Sequence, residues 1–348
     1  MSYLAGKLVI EVREGAPNNG LTDDAQVGRV KQIRLGSGRD SRLYPYIAPQ
    51  AYRRWLRDTL TAGTEASPVI RSGSGAKQQA YTVGEPHRYV DDDLFGYMRA
   101  IKDKETQRDS VLSVGTLRAV SPARPTEDFG TMSRGFSADE RPVLHRHEFY
   151  TADMATDLLI DVAHIGVFTL GGAGHRRSLT DEQVVEALAG GASKVRFRGI
   201  DAVALPLETR RERLAGLLGA MASVRGGAKQ ALHYGDRTPA LLVLVPMRGG
   251  ISPLGRVVAD SDGTTEVRAD VLRAELDGWA EETLGPAWVG WAPGYLAGQR
   301  DRVAADLADL VKDGRVVLDH PRTLLLALAK EIRAGEHDDW FTDPVWAS

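Results

Sequence analysis

The stretch LLIDVAHIGVF, residues 158 to 168, is the most strand-like part of this sequence, because apolar residues dominate it and polar residues alternate among them. Two distant stretches share this character: LAGKLVIEVR at residues 4 to 13, and PALLVLVPM at residues 239 to 247. Strands and helices mix irregularly between them, unlike the strict alternation of a doubly wound sheet. We therefore predict an α+β fold with one core and long insertions.

Helical periodicity and turn residues complete this outline. We expect residues 62 to 79 to form a surface segment, and residues 121 to 136, rich in Pro, Gly and Ser, to be irregular. Helices are predicted at residues 49–60, 91–104, 210–224, 267–283, 298–311 and 322–334, with a smaller one between the glycine pairs near residues 171 and 190.

The composition of the 348 residues excludes several classes of protein. A net charge of −3 rules out a uniformly basic nucleic-acid coat, although a local basic groove remains compatible with it. Cysteine is absent, so disulfides, thiolate nucleophiles and zinc–cysteine sites are excluded. No signal peptide or membrane span is predicted. We expect a cytoplasmic protein without membrane contact, metal or cofactor.

A cationic helix is predicted within YPYIAPQAYRRWLRDTL, residues 44 to 60, with Pro49 at its first position. Gln50, Arg53 and Arg57 share one stripe, whereas the aromatic residues and leucines face a core. Residues 29 to 57 hold eight basic residues and one acid. This face is either an ordinary solvated surface or a track for a polyanion, in which each guanidinium takes phosphate oxygens.

A glycine-rich stretch, SVRGGAKQA at residues 223 to 231, follows the predicted helix at 210–224. Glycines allow backbone N–H groups to approach an anion closely. The GK[ST] ending of a nucleotide P-loop is missing. The stretch is therefore either a plain helix end with an incidental lysine or a second anion contact.

Other polar clusters have simpler interpretations. Asp91, Asp92 and Asp93 are predicted to cap a helix rather than to bind a metal. His145 and His147 with Glu148 have no third spaced ligand, and are interpreted as structural or surface groups. Three tryptophans in the C-terminal third are assigned to the core rather than to base stacking: Trp279, Trp288 and Trp291.

Taken in order, several segments resemble the CRISPR-associated backbone subunits of the DevR type, which bind CRISPR RNA in type I-B Cascade complexes. The resemblance spans residues 3 to 247. It is carried by the first strand, RLYPYIAPQAYRRWLRDTL, DDDLFGYM, LRAVSP, HEFY before DVAHIGVF, and ASVRGGAKQA before PALLVLVPM.

The resemblance implies a modified RNA-recognition-motif (ferredoxin-like) palm with a helical finger insertion and a thumb hairpin. The palm would comprise residues 1–61, 151–169 and 208–348, the fingers 62–150, and the thumb or web 170–207. The projecting hairpin could equally be TEDFGTMSRGF, with Phe129 or Met132 as an apolar wedge between bases.

The resemblance also implies the partners and the contacts. The partners would be CRISPR RNA, target DNA through guide pairing, further copies of the chain arranged head to tail, and other Cascade subunits. The RNA-binding residues carried over are Lys31, Arg34, Gln50, Arg53, Arg54, Arg57, Arg225, Lys229 and Gln230. We expect Arg53 and Arg57 to have no acidic neighbours, so that charge reversal of both would leave the fold intact.

Two other functions remain as alternatives. Type III backbone proteins cut RNA with an aspartate in the loop before this helix, but residues 29 to 33 contain no acid. Only Asp23 and Asp24 lie nearby, so we expect no endoribonuclease activity. A transcriptional regulator is disfavoured because no helix-turn-helix pattern is present.

Overall fold

The computed structural model describes residues 2–20, 27–75, 78–100, 105–137, 140–141, 143–172 and 175–342. In these ranges the chain forms eight helices and a large, mostly antiparallel sheet, as expected for an α+β protein. None of the described helices is both long and apolar enough to cross a membrane.

The large sheet has the strand order β21-β20-β17-β1-β12-β10-β4-β3, and β2, β9 and β11 also pair with β12. Only the β20–β21 and β2–β12 pairs are parallel. Its strands are β1 (Ser2–Gly15), β2 (Val27–Gly28), β3 (Gln32–Leu35), β4 (Arg42–Ile47), β9 (Leu112–Val114), β10 (Leu117–Ala119), β11 (Thr126–Met132), β12 (Val143–Asp161), β17 (Leu241–Arg248), β20 (Ala287–Trp291) and β21 (Val316–Asp319).

Helices cover both faces of this sheet, which explains why its central strands read as nearly continuous apolar runs. Leu4, Leu8 and Ile10 of β1 face a core with α1, α2, α4 and α8, whereas Ala5 and Val9 face a second core with α5, α6 and α7. The helices are α1 (Pro49–Leu60), α2 (Val90–Phe95), α3 (Asp181–Ala189), α4 (Leu207–Met221), α5 (Ala269–Gly278), α6 (Ala297–Asp306), α7 (Ala308–Lys312) and α8 (Pro321–Ala334).

Smaller sheets form the insertions. A four-stranded sheet of order β14-β13-β16-β15 carries α3, and three hairpins pair β5 with β6, β7 with β8, and β18 with β19. These strands are β5 (Val69–Ser72), β6 (Gln79–Thr82), β7 (Tyr97–Arg99), β8 (Thr106–Arg108), β13 (Val167–Gly172), β14 (His175–Arg177), β15 (Ser193–Phe197), β16 (Ile200–Ala204), β18 (Val258–Ser261) and β19 (Thr264–Val267).

Local predictions were confirmed for the core elements and for the small helix α3, and several of those made for the other insertions were wrong. The strands at 4–13 and 239–247, and the helix at 210–224, are present with shifted ends. The predicted strand 158–168 is split, because β12 ends at Asp161 and a short 3-10 turn precedes β13. The predicted helix at 91–104 ends at Phe95, where Gly96 with φ of +69° stops it.

Two segments for which no strand was predicted contain strands. The surface segment 62–79 contributes β5, which pairs with β6, and residues 126 to 132, within the stretch expected to be irregular, form β11 against β12. Pairing with a partner strand supplies the backbone hydrogen bonds that the local composition does not favour. The predicted core assignment of Trp288 and Trp291 is confirmed, since both are buried, and Trp279 packs partly buried against the second core.

Candidate nucleic-acid interface

Helix α1 is fixed to the core by its apolar face, as its periodicity predicts. Tyr52, Trp55 and Leu56 are buried, and the rings of Tyr52 and Trp55 meet edge to face at 6.0 Å. The chain enters the helix through Ala48, whose N–H donates to Oδ1 of Asn18 at 2.8 Å. The opposite face is therefore held in a defined orientation.

Arg53 and Arg57 both contact α2, and the expectation that neither has an acidic neighbour is wrong for Arg57, which lies near Asp91. Arg53 donates to the carbonyl oxygen of Phe95, and the Arg57 guanidinium lies 5.2 Å from the Phe95 ring centre. Arg57 Nε lies 3.9 Å from a carboxylate oxygen of Asp91, too far for a hydrogen bond. Burial, then the charge of Arg57, lowers the pKa of Arg53. Both arginines are half-buried, so reversing their charge would disturb the α1–α2 contact.

Of the four residues of α1 predicted to bind RNA, Gln50 and Arg54 are exposed to solvent. Arg54 donates through Nε to Asp58 at 3.2 Å, as its spacing of four residues suggests. Because both partners are largely exposed, this ion pair is weak and can be exchanged for another anion.

The basic segment, residues 27 to 42, precedes α1 and is held in place by one buried carboxylate. Glu148 of β12 accepts from Arg29 and from the backbone N–H of Val30, each at 2.9 Å. Lys31 lies next to this contact with a half-exposed side chain. Arg34 lies on the edge strand β3, where it donates to Ser41 at 3.3 Å.

The glycine loop, residues 225 to 236, packs directly against α1. The N–H of Arg225 donates to Oγ1 of Thr59 at 3.0 Å, and a β-carbon placed on Gly226 would lie 2.5 Å from Cγ of Trp55. Only glycine permits this approach, and the φ of +145° also requires it. The loop therefore begins at the last turn of the cationic helix.

Lys229 and Gln230 hold the glycine loop together, in addition to any binding role. Lys229 Nζ donates to the carbonyl of Gly28 at 3.3 Å, and burial lowers its pKa. Gln230 Nε2 donates to the carbonyl of Gly226 at 2.6 Å, and its Oε1 accepts from Gly235 at 3.3 Å. These contacts connect the loop to β2 in the basic segment.

Three of the segments that carry the predicted contacts thus meet: α1, the basic segment and the glycine loop. The glycine loop joins α1 through Arg225 and Gly226 and joins the basic segment through Lys229. These segments are far apart in sequence, so the juxtaposition is produced by the fold. Arg34 lies on the edge strand instead, beside the loop that ends at Ser41.

Sequence reasoning missed Arg237, which lies beneath this loop. Its side chain is buried, with 2% exposure, and one Nη donates to the carbonyl of Asp236 at 3.1 Å. Among the described residues its Nε and other Nη have no hydrogen-bond acceptor, and burial lowers its pKa. Gly15, Gly227 and Gly235 surround it. The only sequence signal was a basic residue before the strand at 239–247.

The histidine segment of β12 contributes to a cluster of rings. His147 lies 4.9 Å from the ring of His233, and Phe149 lies 5.1 Å from the same ring. Burial, then the charge of Lys229, lowers the pKa of His147. His145 is exposed, and Glu148 points to the opposite side of the strand, into the Arg29 contact. No group of three metal-ligating side chains occurs among the described residues.

The three aspartates of α2 do not cap the helix, which corrects the prediction. Tyr89 occupies the N-cap position without a side-chain bond, and all three carboxylates are buried in the first turn. Asp91 accepts from the N–H of Ser67 and Asp92 from its hydroxyl. Asp93 accepts from Arg108, Arg213 and the N–H of Gly166. They form a buried network behind the cationic face.

The β11–β12 hairpin projects from the sheet close to this surface. All seven residues of β11 are exposed, including Phe129 at 68% and Met132. Glu148 and His147, near the base of the hairpin, belong to the same strand that contacts the basic segment and the glycine loop. Asp23 and Asp24, the carboxylates considered for RNA cleavage, lie outside the described residues.

The fold resembles chains of solved RNA-guided complexes. One belongs to a "CRISPR RNA-guided surveillance complex", with a TM-score of 0.54 and 16% identity over 96% of this chain and 99% of that chain. Another belongs to a "CRISPR RNA-guided surveillance complex, pre-nicking", with a TM-score of 0.52 and 12% identity over 95% and 100%. No family model matches this chain, and no curated protein does. At these identities the likeness concerns the fold.

Proposed function

We propose that this chain is a non-catalytic, CRISPR RNA-binding backbone subunit of a type I Cascade complex, of the DevR type found in type I-B. The observation that carries the proposal is the convergence of α1, the basic segment and the glycine loop on one surface. The likeness of the fold to chains of CRISPR RNA-guided complexes supports it.

The strand order supports a ferredoxin-like palm. β17, β1, β12 and β10 lie side by side in that order, and α1 and α4 pack against the same core. In this arrangement α1 follows the first palm strand and α4 precedes the last. The cationic helix and the glycine loop after α4 then lie on one side of the palm.

The proposed contacts are made to phosphates and leave base edges free. Arginine, lysine and backbone N–H groups bind phosphate oxygens without reading sequence. A guide held in this way can pair with target DNA. Copies of the chain would stack head to tail along the RNA with other Cascade subunits at the ends. The exposed β11–β12 hairpin, with Phe129 and Met132, is our candidate for the thumb.

The test uses the exposed Arg34 and Arg225 and the half-exposed Lys31, because Arg53 and Arg57 also hold α2. The triple variant Lys31→Glu, Arg34→Glu and Arg225→Glu should retain its circular dichroism spectrum and lose RNA affinity equally for unrelated sequences. Each phosphate contact to a single strand contributes roughly 0.7 to the slope of log K against log salt concentration. Removing three contacts should therefore reduce the magnitude of this slope by about 2.

The matched control reverses three exposed charges on the C-terminal helices: Arg302→Glu, Lys312→Glu and Lys330→Glu. It changes the net charge by the same amount, and its RNA affinity should stay closer to that of the unaltered chain. Equal loss in both variants would show that only net charge matters, and would refute the proposed surface.

The endoribonuclease alternative is tested separately. The purified chain is incubated with labelled complementary RNA, guide RNA and Mg²⁺. We expect no cleavage, because the loop at residues 29 to 33 contains a lysine and no acid, and a protonated lysine is a poor general base. Metal-dependent cuts at regular spacing that disappear in Asp23→Ala or Asp24→Ala would refute the non-catalytic function and support the endoribonuclease.

A further inference from the structure

The glycine loop is held at both ends, so its outermost residues have a defined position. Ala228 donates its N–H to the carbonyl of Pro17 at 2.9 Å, and Lys229 reaches Gly28. At the other end, Oε1 of Gln230 accepts from the N–H of Gly235. The five residues between Gln230 and Asp236 therefore form a projection whose position is fixed by these hydrogen bonds.

Large apolar side chains on this projection point into solvent. Tyr234 is 85% exposed and Leu232 is 70% exposed, whereas His233 between them turns inward against His147 and Phe149. The phenol ring of Tyr234 and the Leu232 side chain, two residues apart on a tied loop, are therefore both open to solvent. Exposed apolar groups in a defined geometry commonly mark a binding surface.

The charges around the projection favour an anionic occupant. Lys229 and Arg237 donate to carbonyl oxygens, and within the part of the chain that the structure describes neither donates to a carboxylate. Glu148 pairs with Arg29, and Asp236, whose hydrogen bonds to Thr238 leave its charge in place, is the one acid among residues 225 to 237, against the three cations Arg225, Lys229 and Arg237. A flat apolar face on a positively charged surface matches single-stranded nucleic acid, whose bases stack while its phosphates bind cations.

We propose that Tyr234, supported by Leu232, is a stacking platform for one base of single-stranded RNA. This inference rests on the proposed function, and it assigns a base contact to a surface otherwise described through phosphates. Stacking uses the face of a base and leaves its pairing edge free, so it is compatible with a guide that later pairs. Stacking is also tolerant of sequence.

The test measures fluorescence anisotropy of a labelled 12-nucleotide RNA with the full chain. Tyr234→Ala should weaken binding about 5- to 140-fold, the range for loss of one aromatic stack. Tyr234→Phe should bind as the unaltered chain does, because the ring and not the hydroxyl is required. Val185→Ala, which removes an exposed apolar side chain from α3, is the control and should change nothing.

A second RNA, with the same backbone but abasic at every position, isolates the stack. The unaltered chain and Tyr234→Ala should bind it equally. Equal weakening of both RNAs by Tyr234→Ala would overturn stacking and indicate a change in the loop itself. A change only in self-association, measured by sedimentation, would instead assign the platform to a second copy of the chain.

The two proposals fail differently. If the triple charge variant loses RNA binding and Tyr234→Ala does not, stacking is refuted and the RNA-binding function stands. If the unaltered chain binds neither RNA, both proposals fail.

Discussion

Removal of the Asp93 carboxylate should destabilise the protein more than removal of any exposed acid. Asp93 is completely buried and accepts from two guanidiniums, those of Arg108 and Arg213, and from the N–H of Gly166 at 3.0 Å. The Arg108 side chain is itself fully buried. This carboxylate balances two buried positive charges at the junction of α2, α4 and the four-stranded sheet.

The magnitude follows from what Asp93→Ala leaves behind. Arg108 keeps carbonyl partners at Val167 and His164, and Arg213 keeps Pro86, so their N–H groups stay largely bonded. Their charges, however, lose the only carboxylate within hydrogen-bond distance among the described residues. Breaking a buried ion pair costs about 3–5 kcal/mol. At roughly 2 °C per kcal/mol for a large chain, the Tm should fall by about 6–10 °C.

The assay is thermal and urea unfolding, with Asp309→Ala as the matched control. Asp309 also binds a guanidinium through both oxygens, that of Arg273 at 2.6 and 2.7 Å, but on the surface. The chemistry is the same and the burial differs, so the control should unfold almost as the unaltered chain does. Equal midpoints for the Asp93→Ala and Asp309→Ala variants would refute the view that burial gives this network its strength.

Three further predictions address the loop, the buried histidine and the hairpin. Gly226→Ala, whose β-carbon would meet Trp55, should lower both stability and RNA affinity, whereas Gly219→Ala in open space on α4 should be neutral or stabilising in the same urea titration. Burial, then the charge of Arg108, holds the pKa of His164 well below its ordinary 6.5. The unfolded chain therefore takes up a proton that the folded chain resists, so stability should fall as the pH drops below about 6.5. His164→Gln should reduce this loss between pH 8 and 5.5, and an unchanged loss would contradict it. Phe129→Ser with Met132→Ser, both exposed, should leave the Tm unchanged but reduce co-assembly on long RNA, measured by sedimentation; unchanged assembly would exclude this hairpin as the thumb.

The core elements of this fold can be predicted from the sequence because the apolar pattern of each element lies within its own segment. The apolar runs of β1 and β17 and the stripe of Tyr52, Trp55 and Leu56 each record burial on a fixed face, and the structure confirms all of them. The β5–β6 pairing was not predicted, and the segment of β11 was expected either to be irregular or to form the projecting hairpin, since strand pairing of this kind depends on a partner and not on local composition.

The candidate site was predictable by residue type but not by contact. Lys31, Arg53, Arg57 and Lys229 were selected as cations, and their roles in RNA binding stay predictions. The internal partners of Arg53 and Arg57 could not be foreseen, because α2 lies more than thirty residues later and its aspartates are typical of a helix cap. Tyr234 and Arg237 give no periodic signal, so only exposure and burial distinguish them.

The electrostatic potential of this surface depends on whether each cation donates to a carboxylate or to a carbonyl oxygen. Arg29 and Arg54 hydrogen-bond to carboxylates and are neutralised locally. Arg53, Lys229 and Arg237 donate to carbonyl oxygens, which fix the side chain without cancelling its charge. Such contacts orient a cation in advance and leave its potential directed at an incoming phosphate. The same contacts tie α1, the basic segment and the glycine loop together. In the proposed function, binding and folding share these side chains, and exposed positions such as Arg225 and Tyr234 are the ones that can separate the two effects.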